Sequence, residues 1–387
     1  MTLITYRTRI HFADGVLEEA LRSEMELNGK RRPMIVAEEL HISGDMSDRF
    51  LSSFPIRVRA ECFSAVPHRA SETAARSIAK IYLEADCDLL IAYGSSRAMD
   101  LAKVARVAIA YDEPIETLSA EEGGAQRISN LLPDLYSVPS ILGFASAITD
   151  YTRVKLDNGG QVLLSSRHLI PTVAICDPTL TIGASPEQSA CAAAGILARS
   201  VDGYLSPSYN PPADGMALDA LRRVVKNVAR VVEDDDLNAR REMMASGLNS
   251  SLALHDGPRA IHAICNAIAS VSDFPVDPSA LGGVLIPQLA RTYEQVETRR
   301  IADVCRSLSL HEGETLSDGL TRIVGDLPLA QNLSDLGVSG ASLGRAAELA
   351  ARDRAIAKAP LHLDAKLIRG MLEASHGQLE TKKTASA

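Results

Sequence analysis

Tryptophan is missing from this sequence of 387 residues, and phenylalanine and tyrosine are scarce, at six and nine. With aromatics at 4% of the chain, stacking platforms for bases or sugars are few and the core must be aliphatic. A basic surplus is lacking too: 40 Lys and Arg stand against 49 Asp and Glu, a net charge of −9. Such a surface repels polyanions, which argues against nucleic acid as a partner. No run of 18 apolar residues occurs, so no membrane-spanning helix and no membrane partner are expected. The six cysteines, at positions 62, 87, 176, 191, 265 and 305, show no CxxC spacing. They read as reduced packing residues, and residues 1–7 are strand-like rather than leader-like, so a cytoplasmic setting is expected.

What is present has the grammar of two domains. Over residues 1–180, short apolar runs alternate with helical periodicity. Strands are expected at 34–37, 56–60, 88–93 and 140–144, with helices at 71–85, behind an N-cap serine, and at 98–110. This βαβ alternation predicts a Rossmann-like α/β domain built on a parallel sheet. From about residue 181 strands are hard to find. Ser185-Pro186-Glu187 opens a helix that continues over 190–204, and further helices are expected at 214–232, 238–254, 258–270, 281–292, 298–308, 316–324 and 341–356. The second domain, 181–387, is therefore read as all-helical, with a cleft between the two and a frayed, unpatterned tail at 378–387.

Chemistry can first reside in the turn after the third expected strand, Gly94-Ser95-Ser96-Arg97, which leads into a helix carrying Asp100 and Lys103. Small residues let backbone N–H groups approach a pyrophosphate, the helix dipole favours its charge, and Lys103 could reach back over it. Any strand-to-helix turn favours Gly and Ser, so spacing alone leaves a plain turn equally open. Glu38 follows a buried strand, where an acid accepts hydrogen bonds from an adenosine ribose, an arrangement that favours NAD over NADP; a solvated strand-end acid is the other reading. His262 has Asn266 one turn later on an apolar helix, which fits either a packing histidine or a catalyst. Gly195, Arg199 and Asp202 share one face of an alanine-rich helix. Arg199 and Asp202 fit an intrahelical ion pair, but a guanidinium among alanines also needs a paired or wet destination, and a cleft wall supplies one.

Several stretches together carry a resemblance. Residues 94–103 resemble a GGGSxxDxAK phosphate turn, residues 165–181 resemble a run ending in DPxLT, and Asn332-Leu333-Ser334-Asp335-Leu336-Gly337-Val338 is similar to a C-terminal segment of the same group. The chain thus resembles the iron-containing alcohol dehydrogenases, of dehydroquinate-synthase-like fold, and especially their maleylacetate-reductase branch. The resemblance implies an NAD or NADP cofactor lying between Gly94 and Ser146, with Ser140 and Ser146 in a second phosphate-contacting segment, and suggests a homodimer. It also implies metal-ligand positions at Gly195, Arg199, His262 and Val276, of which only His262 is a ligand type. A catalytic metal needs about three protein ligands, so metal is not expected here. The second phosphate segment, 140–147, departs from its TTAGTGSE-like counterpart through Ile141 and Leu142.

Two functional readings follow. In one, the protein is a metal-free NAD(P)H-dependent oxidoreductase similar to maleylacetate reductase, acting on a small oxo-acid or carbonyl compound. Arg199 then holds a substrate carboxylate or steadies the developing alkoxide, and His262 supplies the proton. In the other, the same cleft serves a non-redox enzyme or a binding or regulatory paralogue.

Overall fold

The computed structural model describes residues 8–42, 45–254, 256–296 and 299–377. The strand-like start expected at 1–7, the tail at 378–387 and Thr298, first residue of one expected helix, lie outside them. The order of elements through the first part is β1 (Arg9–Phe12), α1 (Leu17–Leu27), β2 (Pro33–Ala37), α2 (Asp45–Ser52), β3 (Glu61–Phe63), α3 (Glu72–Glu84), β4 (Leu89–Gly94) and α4 (Ser96–Ala110). Then come α5 (Gly124–Arg127), β5 (Leu135–Pro139), β6 (Tyr151–Lys155), β7 (Gln161–Ser165) and β8 (Val173–Cys176). Six strands form one parallel sheet in the order β1-β8-β5-β4-β2-β3, and β6 and β7 pair separately as an antiparallel hairpin.

The central strands are continuous apolar runs because both their faces are covered, as parallel sheets require. In β2, Met34 and Val36 pack into the cluster shared with α3 and α4, whereas Ile35 and Ala37 join Leu17, Leu21 and Met25 of α1 on the opposite face. The sheet order makes β2 and β4 neighbours whose onward connections leave in opposite directions. Their carboxyl ends, at Glu38 and Gly94, form the topological switch point where ligands of such sheets bind.

Two expected strands are displaced. Residues 56–60 form no strand: Ile56 is 88% exposed, Arg57 has a positive φ of 67°, and the edge strand β3 starts only at Glu61. The run at 140–144 is also not a strand. Pro139 ends β5 opposite Gly94, and the following residues cross the end of the sheet as a loop. Leu142 and Phe144 are apolar because this loop is buried under a later helix. A Cβ on Gly247 of that helix would collide with the Leu142 carbonyl.

After β8 the chain is helical: α6 (Pro186–Leu205), α7 (Pro211–Glu233), α8 (Leu237–Leu252), α9 (Ala260–Val271), α10 (Pro278–Tyr293), α11 (Arg299–Ser307), α12 (Leu316–Gly325), α13 (Leu343–Arg352) and α14 (Ala365–Ser375). Ser185 and Gln188 close a reciprocal capping box at the start of α6, with Pro186 at its first position. Small residues on α6, from Ala192 to Ala194, let α10 approach so closely that a Cβ on Gly283 would meet Ala194 at 2.8 Å. The β6–β7 hairpin is fastened to the helical part by an ion pair between Arg153 and Asp353. No helix among the described residues is long and apolar enough to cross a membrane.

Candidate active site

At the carboxyl end of β4, Gly94 adopts a φ of 122°, a conformation that suits glycine, and a Cβ there would collide with the Glu38 carboxylate and lie 2.6 Å from the His41 ring. Ser95 caps α4, its hydroxyl accepting from the Arg97 N–H at 3.1 Å. Glu38 reaches into this turn: it accepts from the Ser95 hydroxyl and, at 3.3 Å, from the Ser95 N–H, while Arg97 Nε lies 3.5 Å away. Glu38 therefore does more than stand at a strand end. It is an anion resting on the helix N-terminus that the sequence reading reserved for phosphate. Arg97 also contacts His68 at 3.2 Å, Ser96 donates to the Gly143 carbonyl at 3.5 Å, and Ser140 and His41 share a contact of 3.3 Å. Gly94, Ser95, Ser96, Arg97, Glu38 and Ser140 are thus brought together.

Asp100, Lys103 and Ser146 form a different group. Lys103 does not reach back over the turn. Its ammonium is buried, donating to the Thr149 hydroxyl at 2.9 Å and the Tyr151 carbonyl at 3.1 Å. Burial brings its pKa down to about 8, against the pull of Asp100 and Asp150. Asp100 accepts from Ser146 and, at 3.0 Å, from Thr152, and its carboxyl is pushed up by burial. These residues tie α4 to the loop and hairpin that carry Tyr151.

The second cluster lies where α6, α8 and α9 meet β6. Arg199 is buried, at 7% exposure, with no carboxylate among the described residues on its guanidinium. Nη2 donates to Ser250 at 3.2 Å, and Nε has no hydrogen-bond partner. Burial draws the guanidinium down to about 10, with only Tyr151 pulling the other way. The ion pair with Asp202 does not form. Asp202 accepts instead from the Ile261 N–H at 2.7 Å and the Tyr293 hydroxyl at 2.8 Å, so it caps α9 and binds α10. His262 Nδ1 accepts from the Arg259 N–H at 3.1 Å, which leaves the proton of the neutral ring on Nε2. Burial first, then the charges of Arg199, Arg259, Arg153 and Lys358, push His262 down to about 3. The imidazole is neutral at physiological pH and offers a neutral N–H rather than an imidazolium proton. Tyr151, which the sequence reading missed, stands edge-on to His262 with ring centroids 6.5 Å apart. Nothing in its periodicity marked it; its place after the second phosphate-like segment was the available signal.

Two family models match most of the chain: "Iron-containing alcohol dehydrogenase" over residues 7–178 and "Fe-containing alcohol dehydrogenase family, C-terminal" over residues 190–376. The chain belongs to the iron-containing alcohol dehydrogenase family. Among curated relatives, a 4-hydroxybutyrate dehydrogenase of Cupriavidus necator is 28% identical, over 97% of this chain and 100% of its own length. Solved structures share the fold: a 1,3-propanediol oxidoreductase has a TM-score of 0.89 at 21% identity, covering 97% of this chain and 100% of that one. A maleylacetate reductase of Agrobacterium tumefaciens has a TM-score of 0.79 at 19% identity, covering 97% and 99%. As an iron-containing alcohol dehydrogenase the chain is an oxidoreductase.

The residues present fit a dinucleotide. Gly94 keeps the turn free of a Cβ, α4 points its N-terminus at the switch point, and Arg97 and Glu38 flank it. They do not fit a dication. Gly195 has no ligand, and a Cβ on it would meet Ser279 Oγ at 2.7 Å and Arg199 Nη1 at 3.1 Å, so the arginine itself fills the space an acidic ligand would need. Val276 is apolar, and His262 is ringed by cations. Among the described residues no group of three or more His, Cys, Asp or Glu side chains could hold a metal ion.

Proposed function

We infer that the protein is a metal-independent NAD(P)H-dependent reductase of small oxo-acids, working where Arg199, His262 and Tyr151 meet. The observation that carries this reading is the Arg199 guanidinium: buried, without a carboxylate, with a free Nε, beside a neutral histidine and a tyrosine. A buried cation without a counter-ion is costly unless a ligand completes it, and a substrate oxyanion or carboxylate does so. The substrate class is taken from the same feature and agrees with the 4-hydroxybutyrate of the relative's name, an alcohol that also bears a carboxylate.

In this reading the nicotinamide, when bound, supplies the hydride. Glu38 and Ser95 would help to hold the dinucleotide at this turn, and the Glu38 carboxylate would favour NADH over NADPH. Arg97 follows the phosphates. Arg199 stands as a fixed positive charge at the carbonyl oxygen, lowering the cost of the negative charge that develops there. Residues 1–180 and 181–387 are taken as the two domains that bound the site. The protein is taken to act in the cytoplasm as a homodimer on a small molecule.

Titration with NADH and NADPH, followed by turnover with 4-oxobutanoate, tests the proposal. Nicotinamide fluorescence can be read without indole background, because the chain has no tryptophan. Micromolar NADH binding with metal-insensitive turnover is the expected result. Absence of binding at millimolar cofactor would instead favour the non-redox paralogue, a reading supported by the occupation of the phosphate turn by Glu38.

A further inference from the structure

We propose that Tyr151, rather than His262, gives the proton to the nascent alkoxide, with Arg199 as the charge that steadies both oxygens; the assignment rests on the reductase reading above. Tyr151 opens β6, and its backbone is held by the buried Lys103 ammonium, which donates to its carbonyl oxygen at 3.1 Å. The next residue, Thr152, donates to Asp100 of α4. The phenol ring stands nearly perpendicular to His262, at 82° and 6.5 Å between centroids. Its hydroxyl makes no hydrogen bond to any described residue, and the side chain is half-buried rather than sealed in the core. Tyr93 is different: its hydroxyl is buried and unpartnered among the described residues, and its ring stacks on Phe50 in the core on the α1 side of the sheet.

The alternative donor is poorly placed. His262 has committed Nδ1 to the Arg259 N–H, and the cations around it oppose formation of an imidazolium. A phenol is a stronger acid than the alcohol it would create, so proton transfer from Tyr151 runs downhill once the alkoxide has formed. The groups acting on Tyr151 come from every side: Arg199 of α6, Arg259 ahead of α9, Asp100 of α4 and the adjoining Asp150. Burial weighs most and holds the Tyr151 phenol above its ordinary range, with Asp150 and Asp100 adding to that, while Arg199 and Arg259 favour the phenolate. The carbonyl carbon gains the hydride, its oxygen takes the electron pair and then the Tyr151 proton as that O–H bond breaks. The carbonyl is reduced, the dihydronicotinamide oxidised, and the phenolate, facing Arg199, recovers a proton from water.

The test is Tyr151→Phe in the full-length enzyme, with three readouts: kcat and KM for 4-oxobutanoate reduction, the pH profile of 4-hydroxybutyrate oxidation, and calorimetric binding of 4-hydroxybutyrate to cofactor-free enzyme. Loss of a positioned proton donor is expected to lower kcat by about 10²–10⁴-fold. The alcohol should still bind within about tenfold, one neutral hydrogen bond being lost. The rise of oxidation rate at high pH, where the phenolate acts as base, should disappear. A kcat within threefold of the wild type, a high-pH rise that survives, or an activity loss matched by lost alcohol binding would overturn the assignment. Wild-type enzyme that binds NADH yet turns nothing over would overturn the reductase reading itself, and this assignment with it.

Discussion

The Nη1 atom of Arg199 lies 3.1 Å from where a Cβ on Gly195 would stand, one helical turn away on α6. The two residues form a unit, in which the absence of a side chain at Gly195 makes room for the guanidinium. Gly195→Ala should therefore displace Arg199 and crowd Ser279. Overpacking of this kind costs about 1–3 kcal/mol. It exceeds the gain of about 1 kcal/mol from helix propensity. A lower Tm in a thermal melt, together with reduced turnover, is expected; an unchanged Tm would mean that α6 and α10 part easily.

The same pair predicts how a metal site could be built. Gly195→Asp combined with Arg199→His would add two donors beside His262, three in all, the number that a catalytic zinc site requires. Equilibrium dialysis should find one Zn²⁺ held by the double variant and none by the wild type. Equal retention by both would show that the wild-type donor set had been misjudged.

Arg199 itself is open to a graded test. Arg199→Ala removes the fixed charge and should lower kcat by about 10²–10³-fold, as loss of one oxyanion-stabilising donor does. Arg199→Lys should recover part of that, since it restores the charge without the planar fork. Steady-state kinetics decide the matter, and an active alanine variant would remove Arg199 from the chemistry.

Glu38 governs the choice of cofactor. Glu38→Gln keeps the reach to Ser95 but removes the negative charge beside the nucleotide site. NADPH affinity should rise about tenfold, equivalent to about 1.4 kcal/mol, while NADH affinity changes less. Fluorescence titration with both cofactors reads the ratio directly.

Acid stability should report on His262. Its ring titrates near 6.5 when unfolded and at about 3 when folded, so between those values the unfolded chain binds the extra proton. The stability contributed by the neutral ring is complete above pH 6.5. It is lost as pH falls toward 3, by an amount on the order of 5 kcal/mol. His262→Asn should move the acid-unfolding midpoint, followed by circular dichroism, to lower pH. A midpoint that stays in place would mean that water reaches the ring.

Local signals that depend on a single residue and its near neighbours could be read from the sequence. Ser71 and Ser185 cap α3 and α6 through their own hydroxyls, and β2 and β4 were visible as buried runs. The 140–144 run misled because an apolar stretch buried by a distant helix looks like one buried in a sheet. Partnerships across the fold were beyond reach for a related reason. Lys103 finds Thr149, 46 positions further along the chain, and Asp202 finds Ile261 rather than its helical neighbour Arg199. Whether a charge turns to a ligand, a cap or another charge depends on which elements meet there, and spacing along one helix does not contain that.

Asp202 has a wider consequence. By accepting from the start of α9 and from Tyr293 on α10, one carboxylate joins three helices a single turn below Arg199. The separation between Arg199 and His262 is thus maintained by a crosslink that belongs to the protein and lies outside the reacting space. A cluster braced in this way can exchange one charge carrier for another without its helices drifting apart. The chemistry at this position is free to change while the architecture around it stays put.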